Sequence, residues 1–94
     1  MLPPLGAQSE KPDPITYAKF FLPDGSWTWY ATEGSFDNHD FLMFGYVIGI
    51  VPEWGYFALS ELQSIRGHLN LPVERDKFFM PTPVSKFLKP FPEP

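Results

Sequence analysis

No cysteine occurs anywhere in the chain, so disulfides and thiolate metal sites are excluded and stability must come from packing. Long apolar runs are missing as well. The longest, Phe41 to Val51, is about half of what a membrane-spanning helix needs, and no basic segment followed by a signal-type apolar stretch opens the chain. These features lead to the expectation of a soluble, cytoplasmic protein that does not enter a membrane. Positive charge is absent over a long stretch: no Lys or Arg lies between Phe20 and Ile65, although Asp24, Glu33, Asp37, Asp40, Glu53 and Glu61 all fall there. An acidic half of this kind repels phosphate and argues against nucleic acid as a partner. Arg66, Arg75, Lys77, Lys86 and Lys89 crowd the last third instead.

Catalytic signatures are also lacking. The serines stand in no nucleophile-elbow context, and no Gly-rich phosphate loop is present. His39 or His68 with Glu33, Glu74 or Asp76 would supply a general base only if the fold gathered them, and nothing in the sequence does so. The run Asp37-Asn38-His39-Asp40 offers oxygen and imidazole donors, but its spacing matches no complete calcium or zinc motif, and it reads as a solvated hairpin loop. No catalytic residue, cofactor or metal ligand is therefore assigned, and the protein is expected not to be an enzyme.

Hydrophobic and aromatic residues are plentiful. At 44% hydrophobic, 18% aromatic and 19% charged, the 94 residues lie far from the composition of disordered chains. Nine of the twelve prolines precede Ile15 or follow Met80. The expected arrangement is one domain with its core at 15–80 and flexible or irregular proline-rich arms at 1–14 and 81–94.

Within the core, Ile15 to Leu22 alternates as a strand, with Thr16, Ala18, Phe20 and Leu22 on one side and Ile15, Tyr17, Lys19 and Phe21 on the other. Pro23-Asp24-Gly25 predicts a hairpin loop with Gly25 left-handed, returning through Trp27 to Glu33. Gly34 to Asp40 reads as a polar loop, Phe41 to Ile50 as a third strand, Val51-Pro52-Glu53 as a turn and Trp54 to Leu59 as a fourth strand. Ser60-Glu61-Leu62-Gln63 matches a capping box opening a short helix, with Arg66 at its negative end and Gly67 as its left-handed terminator. Leu71 to Val73 and Lys77 to Met80 are short extended candidates, and Val84 to Lys89 one helical turn. The fold class is thus α+β: a curved antiparallel β-meander of four to five strands with one short capped helix.

The strings YAKFFLPDGSWTWYATE (17–33), FGYVIG (44–49), PEWGYFALSEL (52–62), LPVERD (71–76) and FFMPTP (78–83) resemble domain of unknown function 2958. The chain departs from that pattern in beginning near Leu2-Pro3-Pro4-Leu5 without an upstream helical segment, and in a longer Gly34 to Met43 loop. The resemblance implies a protein of plasmids, integrative elements or phages, encoded among accessory and anti-defence genes of a bacterial host. It implies no activity, cofactor or catalytic residue.

The rings are the remaining signal, since aromatic residues populate both faces of the expected sheet and one short helix cannot cover both. Either the sheet curls with the arms folded over it, or an apolar face remains for a partner. The expected role is a non-enzymatic accessory protein that binds a protein with a basic surface, in concrete form an anti-restriction or anti-CRISPR inhibitor of a nucleic-acid-handling enzyme. The expected binding surface is Trp27, Trp29, Glu33, Asp37, Asp40, Glu53 and Trp54. Two alternatives are a single-stranded nucleic-acid-binding sheet using Lys19, Lys77, Lys86 and Lys89, and a small enzyme centred on His39 or His68. Glu74-Arg75-Asp76 is expected to form a local ion pair. A symmetric homodimer is compatible with each reading.

Overall fold

The computed structural model describes residues 2–88. Its elements are β1 (Ile15–Thr16), β2 (Ala18–Phe21), β3 (Thr28–Asp37), β4 (Asp40–Ile48), β5 (Pro52–Ala58), α1 (Leu59–Ser64), β6 (Glu74–Arg75) and β7 (Thr82–Pro83), followed by a 3₁₀ turn at Val84–Lys86. Five strands form one antiparallel sheet in the order β5-β4-β3-β2-β6, and β1 pairs separately with β7. The meander and the single short helix are those the alternation and capping signals describe.

The expected first strand is divided at Tyr17, because β1 turns away to pair with β7 while β2 stays in the main sheet. Its face assignment holds across the break: Thr16, Ala18 and Leu22 are buried and Phe20 packs on the core. The segment expected to be a polar loop, Gly34 to Asp40, is instead the end of one long hairpin, with Gly34↔Met43, Phe36↔Phe41 and Asp37↔Asp40 in register. Only Asn38 and His39 form the connection, and Asn38 adopts φ 58°, a conformation asparagine tolerates better than most residues. The register shifts between Ala31 and Glu33, so Thr32 is the extra residue of a β-bulge.

Each face of the sheet has its own core. On one, Ala18, Leu22, Trp29, Ala31, Met43 and Phe57 meet Leu62 of α1. On the other, Tyr30 and Tyr46 are covered by Val84 of the C-terminal arm, with Phe87 stacked on Tyr30 at 4.2 Å. Burial, and then the charge of nearby Asp76, raise the Tyr30 phenol above its ordinary pKa.

Both arms carry packing beyond the 15–80 span, through Leu2 at one end and Val84 at the other. The N-terminal arm is irregular in backbone but fixed. β2 leaves β3 beyond Ala31, and the arm takes over that free edge: Gly34 donates to the Pro3 carbonyl at 2.8 Å and Leu5 donates to the Ser35 hydroxyl at 3.0 Å. The Glu33 carboxylate then accepts from the Gly6 and Gln8 backbone N–H groups, each at 2.7 Å. The buried Gln8 amide donates to the Ile15 and Thr32 carbonyls and accepts from Ile15 N–H.

The helix begins two residues earlier than the Ser60 capping box would place it. Ala58 is the N-cap, and Glu61, at the third helical position, accepts its N–H at 2.9 Å. Arg66 does serve the helix end, donating to the Gln63 and Ile65 carbonyls. Gly67 is not left-handed; it is small because the Asp24 carboxylate lies where its Cβ would be, and Asp24 accepts from Leu69 N–H at 2.6 Å. The left-handed residue of that turn is Asn70, with φ 62°, and Gly25 is not left-handed either.

Glu33→Ala should destabilise the protein by about 2–4 kcal/mol, since it strands the buried Gln8 N–H and removes a second charge-assisted bond, from the exposed Gly6 N–H. For a domain this small that corresponds to roughly 10–25 °C in Tm. Hydrogen exchange should localise the loss to Gly6 and Gln8. Unchanged protection at those amides would show that the carboxylate does not hold the arm.

Candidate functional site

Strand parity decides which candidate residues can act together. Trp29 of β3 and Glu53 of β5 lie on the helix-bearing face, because Trp29 pairs with Val47 and Val47 with Glu53, and Trp27, just before β3, joins them there. These residues, with Glu61, Ile65 and Arg66 from α1 and the segment after it, line a groove of about 430 Å³. Trp29 is 5% exposed and forms its floor; Trp27, 38% exposed, stacks on it at 5.8 Å and forms the wall. Trp27 sits there because Gly49 leaves room: a Cβ at Gly49 would overlap its ring. Ile50 and Val51 are exposed in the adjoining turn and extend the apolar surface.

The other proposed residues are not part of this groove. Trp54 is next to Glu53 in the strand and therefore on the opposite face, stacked on Phe44 at 5.8 Å. Glu33, expected at a binding surface, is 5% exposed and engaged with the arm. Asp37 is exposed beside the hairpin tip. Asp40 acts structurally: its carboxylate accepts from the Ser60 hydroxyl, the Ser60 N–H at 3.2 Å and the Phe41 N–H at 2.8 Å, which joins the start of β4 to the first turn of α1. The Ser60 hydroxyl first, and the Phe41 N–H next, hold its carboxyl below the ordinary value.

A second and larger groove on the same face was not anticipated. About 590 Å³ in volume, it is lined by Leu2, Phe20, Phe36, Phe41, Met43 and Leu59, with Arg75 at its mouth. Phe36, 85% exposed, was hidden from sequence reading inside a segment that looked like a polar loop. Phe78, 92% exposed, stands near Lys19, Arg75 and Lys77 beside β6. The ion pair expected of Arg75 does not form: among the described residues no carboxylate pairs with its guanidinium.

His39 is at the tip of the β3–β4 hairpin and His68 in the turn after α1, both exposed. Among the described residues no group of three or more His, Asp or Glu could hold a metal ion. Of the basic residues weighed for nucleic acid, Lys19 lies 6.0 Å from the Tyr30 ring, Lys86 is in the 3₁₀ turn, and Lys89 is outside the described residues. No helix among the described residues is long and apolar enough to cross a membrane.

With this geometry in place, the chain matches over residues 5–91 the family described as protein of unknown function DUF2958. It belongs to that family. No curated protein and no solved structure matches it.

Because folding lowers the Asp40 pKa, its stabilising contribution is present above the unfolded carboxylate value of about 3.9 and disappears as pH falls through the lower folded value. Asp40→Asn should therefore lower Tm at pH 7, and its difference from the parent should close below about pH 4. Melting curves across pH 2–7 check this. A difference that stays constant to the acid end would show that the hydrogen bonds act without the charge.

Proposed function

We propose that this DUF2958 chain is a non-enzymatic accessory protein of a mobile genetic element, acting in the bacterial cytoplasm by binding a partner protein that presents a basic surface. The observation that carries the reading is the groove in which stacked Trp27 and Trp29 adjoin Glu53 and Glu61. A partner Lys or Arg entering it would lay its methylenes along the indoles and bring its cation to the carboxylates. The single basic liner, Arg66, has one guanidinium nitrogen committed to helix-end carbonyls. Exposed Ile50 and Val51 add apolar contact at the rim, while the basic-free run from Phe20 to Ile65 favours encounter with a positive partner.

Basic grooves of this complementary kind belong to enzymes that handle nucleic acid. The mobile-element setting implied by the family resemblance makes inhibition of a restriction or CRISPR nuclease the concrete form of the proposal.

Purified protein mixed with purified nucleases of both kinds should form a complex at low salt that weakens by about 0.5 M salt, with loss of cleavage activity. Trp27→Ala and Glu53→Lys should each weaken the complex by roughly tenfold or more. No complex at either salt concentration would overturn the reading. A gel shift of single-stranded DNA by the protein alone, weakening steeply with salt, would favour the nucleic-acid alternative instead.

A further inference from the structure

β5 is the last strand on its side of the sheet, seven residues long, and among the described residues no other backbone segment hydrogen-bonds to its outer side. The direction of its backbone groups can be read from its end. Ala58 N–H donates to the Glu61 carboxylate and so points away from β4. Strand alternation then turns the N–H and C=O of Tyr56 and Trp54 outward as well. Pro52 falls on the same outward set, the one place in a strand where a missing N–H costs no ladder bond.

We infer that the chain forms a two-fold homodimer through this edge, β5 pairing antiparallel with β5 of a second copy about an axis at Gly55. Two features argue for a second copy as the occupant. First, the register is self-complementary: with Gly55 opposite itself, Trp54 stands opposite Tyr56 of the second copy and Tyr56 opposite its Trp54. Both outward pairs then exchange N–H and C=O, giving four hydrogen bonds. Second, the side chains agree with that register. Trp54 and Tyr56, 41% and 67% exposed, meet as aromatic cross-strand pairs on one face. On the other face Glu53 stands opposite Phe57, not opposite another carboxylate. Gly55, at the close non-hydrogen-bonded pair on the axis, has nothing within 4 Å of where a Cβ would be. The dimer joins two five-stranded sheets into one continuous sheet.

Sedimentation equilibrium of the parent protein at about 100–500 μM should show twice the chain mass, a concentration range suited to an interface of one short strand pair. Gly55→Lys and Gly55→Glu each place like charges face to face on the axis and should each shift the mass to that of one chain at low salt. An equimolar mixture of the two variants should recover the dimer, which also shows that both remain folded. With no native cysteine to interfere, Gly55→Cys should form a disulfide-linked dimer under mild oxidation, the Cα atoms across the axis being about 4.5 Å apart. Glu53→Cys should not, since its copies would be about 14 Å apart. A single-chain mass for the parent throughout that range would overturn the inference. So would a dimer that survives both charge variants, a mixture that does not reassemble, or crosslinking at position 53 in place of 55.

Discussion

A sheet with aromatic residues on both faces and a helix of only six residues has one more face to cover than it has regular elements to cover it with. The arms supply that cover, and proline-rich chain has no helix or ladder of its own to fix it in place. What fixes the N-terminal arm is the Glu33 carboxylate, accepting two backbone N–H groups from a turn it meets 27 and 25 positions away in sequence. A buried carboxylate is costly unless its oxygens are satisfied, and this one is satisfied only while the arm is seated. The bulge at Thr32 contributes, because the register shift pairs Glu33 with Phe44 and so places it on the face the arm crosses. Gln8 completes the attachment by bonding to Ile15 and Thr32 at once.

This dependence explains what the sequence disclosed and what it concealed. Alternation in Ile15 to Leu22 named the buried side correctly even though the strand divides at Tyr17, because burial acts on side-chain parity regardless of which strand is the partner. Gly34 to Asp40 reads as a loop in sequence since Gly, Ser, Asp and Asn are poor strand formers, yet an extended chain already paired through Ala31 is carried on by the β4 ladder. Asp40, Asp24 and Glu33 had the outward look of a solvated acidic surface. Each instead holds backbone N–H groups remote in sequence: Ser60, Leu69, and Gly6 with Gln8. Such long-range capping leaves no periodic trace, and with Glu61 capping the helix locally, four of the six acids of the stretch have structural hydrogen bonds.

The same parity rule sorted the site. Trp29 and Glu53 share a face because each pairs with Val47, a register that the sequence does not disclose, and Trp54, one residue on from Glu53, lies on the other face. The apolar groove around Phe36 and Phe41 was not legible, since it depends on the hairpin extending past Gly34 and on Leu2 folding back beside it. The two grooves divide one face, with α1 packed across the strands that carry them. The helix is held there by its own hydrophobic face and by the bond from Ser60 to Asp40.

Edge protection in the sheet is uneven, and that unevenness bears on how the molecule meets others. The outer edge of β2 is closed by two-residue β6, and the free edge of β3 beyond Ala31 by the arm. On β5 the protection is confined to the ends: Pro52 has no donor to offer, and Glu61 occupies the N–H of Ala58. What stays open is the short stretch carrying Trp54 and Tyr56, with no lysine to discourage pairing. Pairing with its own copy about a two-fold axis would use the open edge of both molecules at once, so association would stop at two. An edge left open with a self-complementary register therefore tends toward a closed pair, whereas an edge that could pair head to tail would leave a new open strand after every addition.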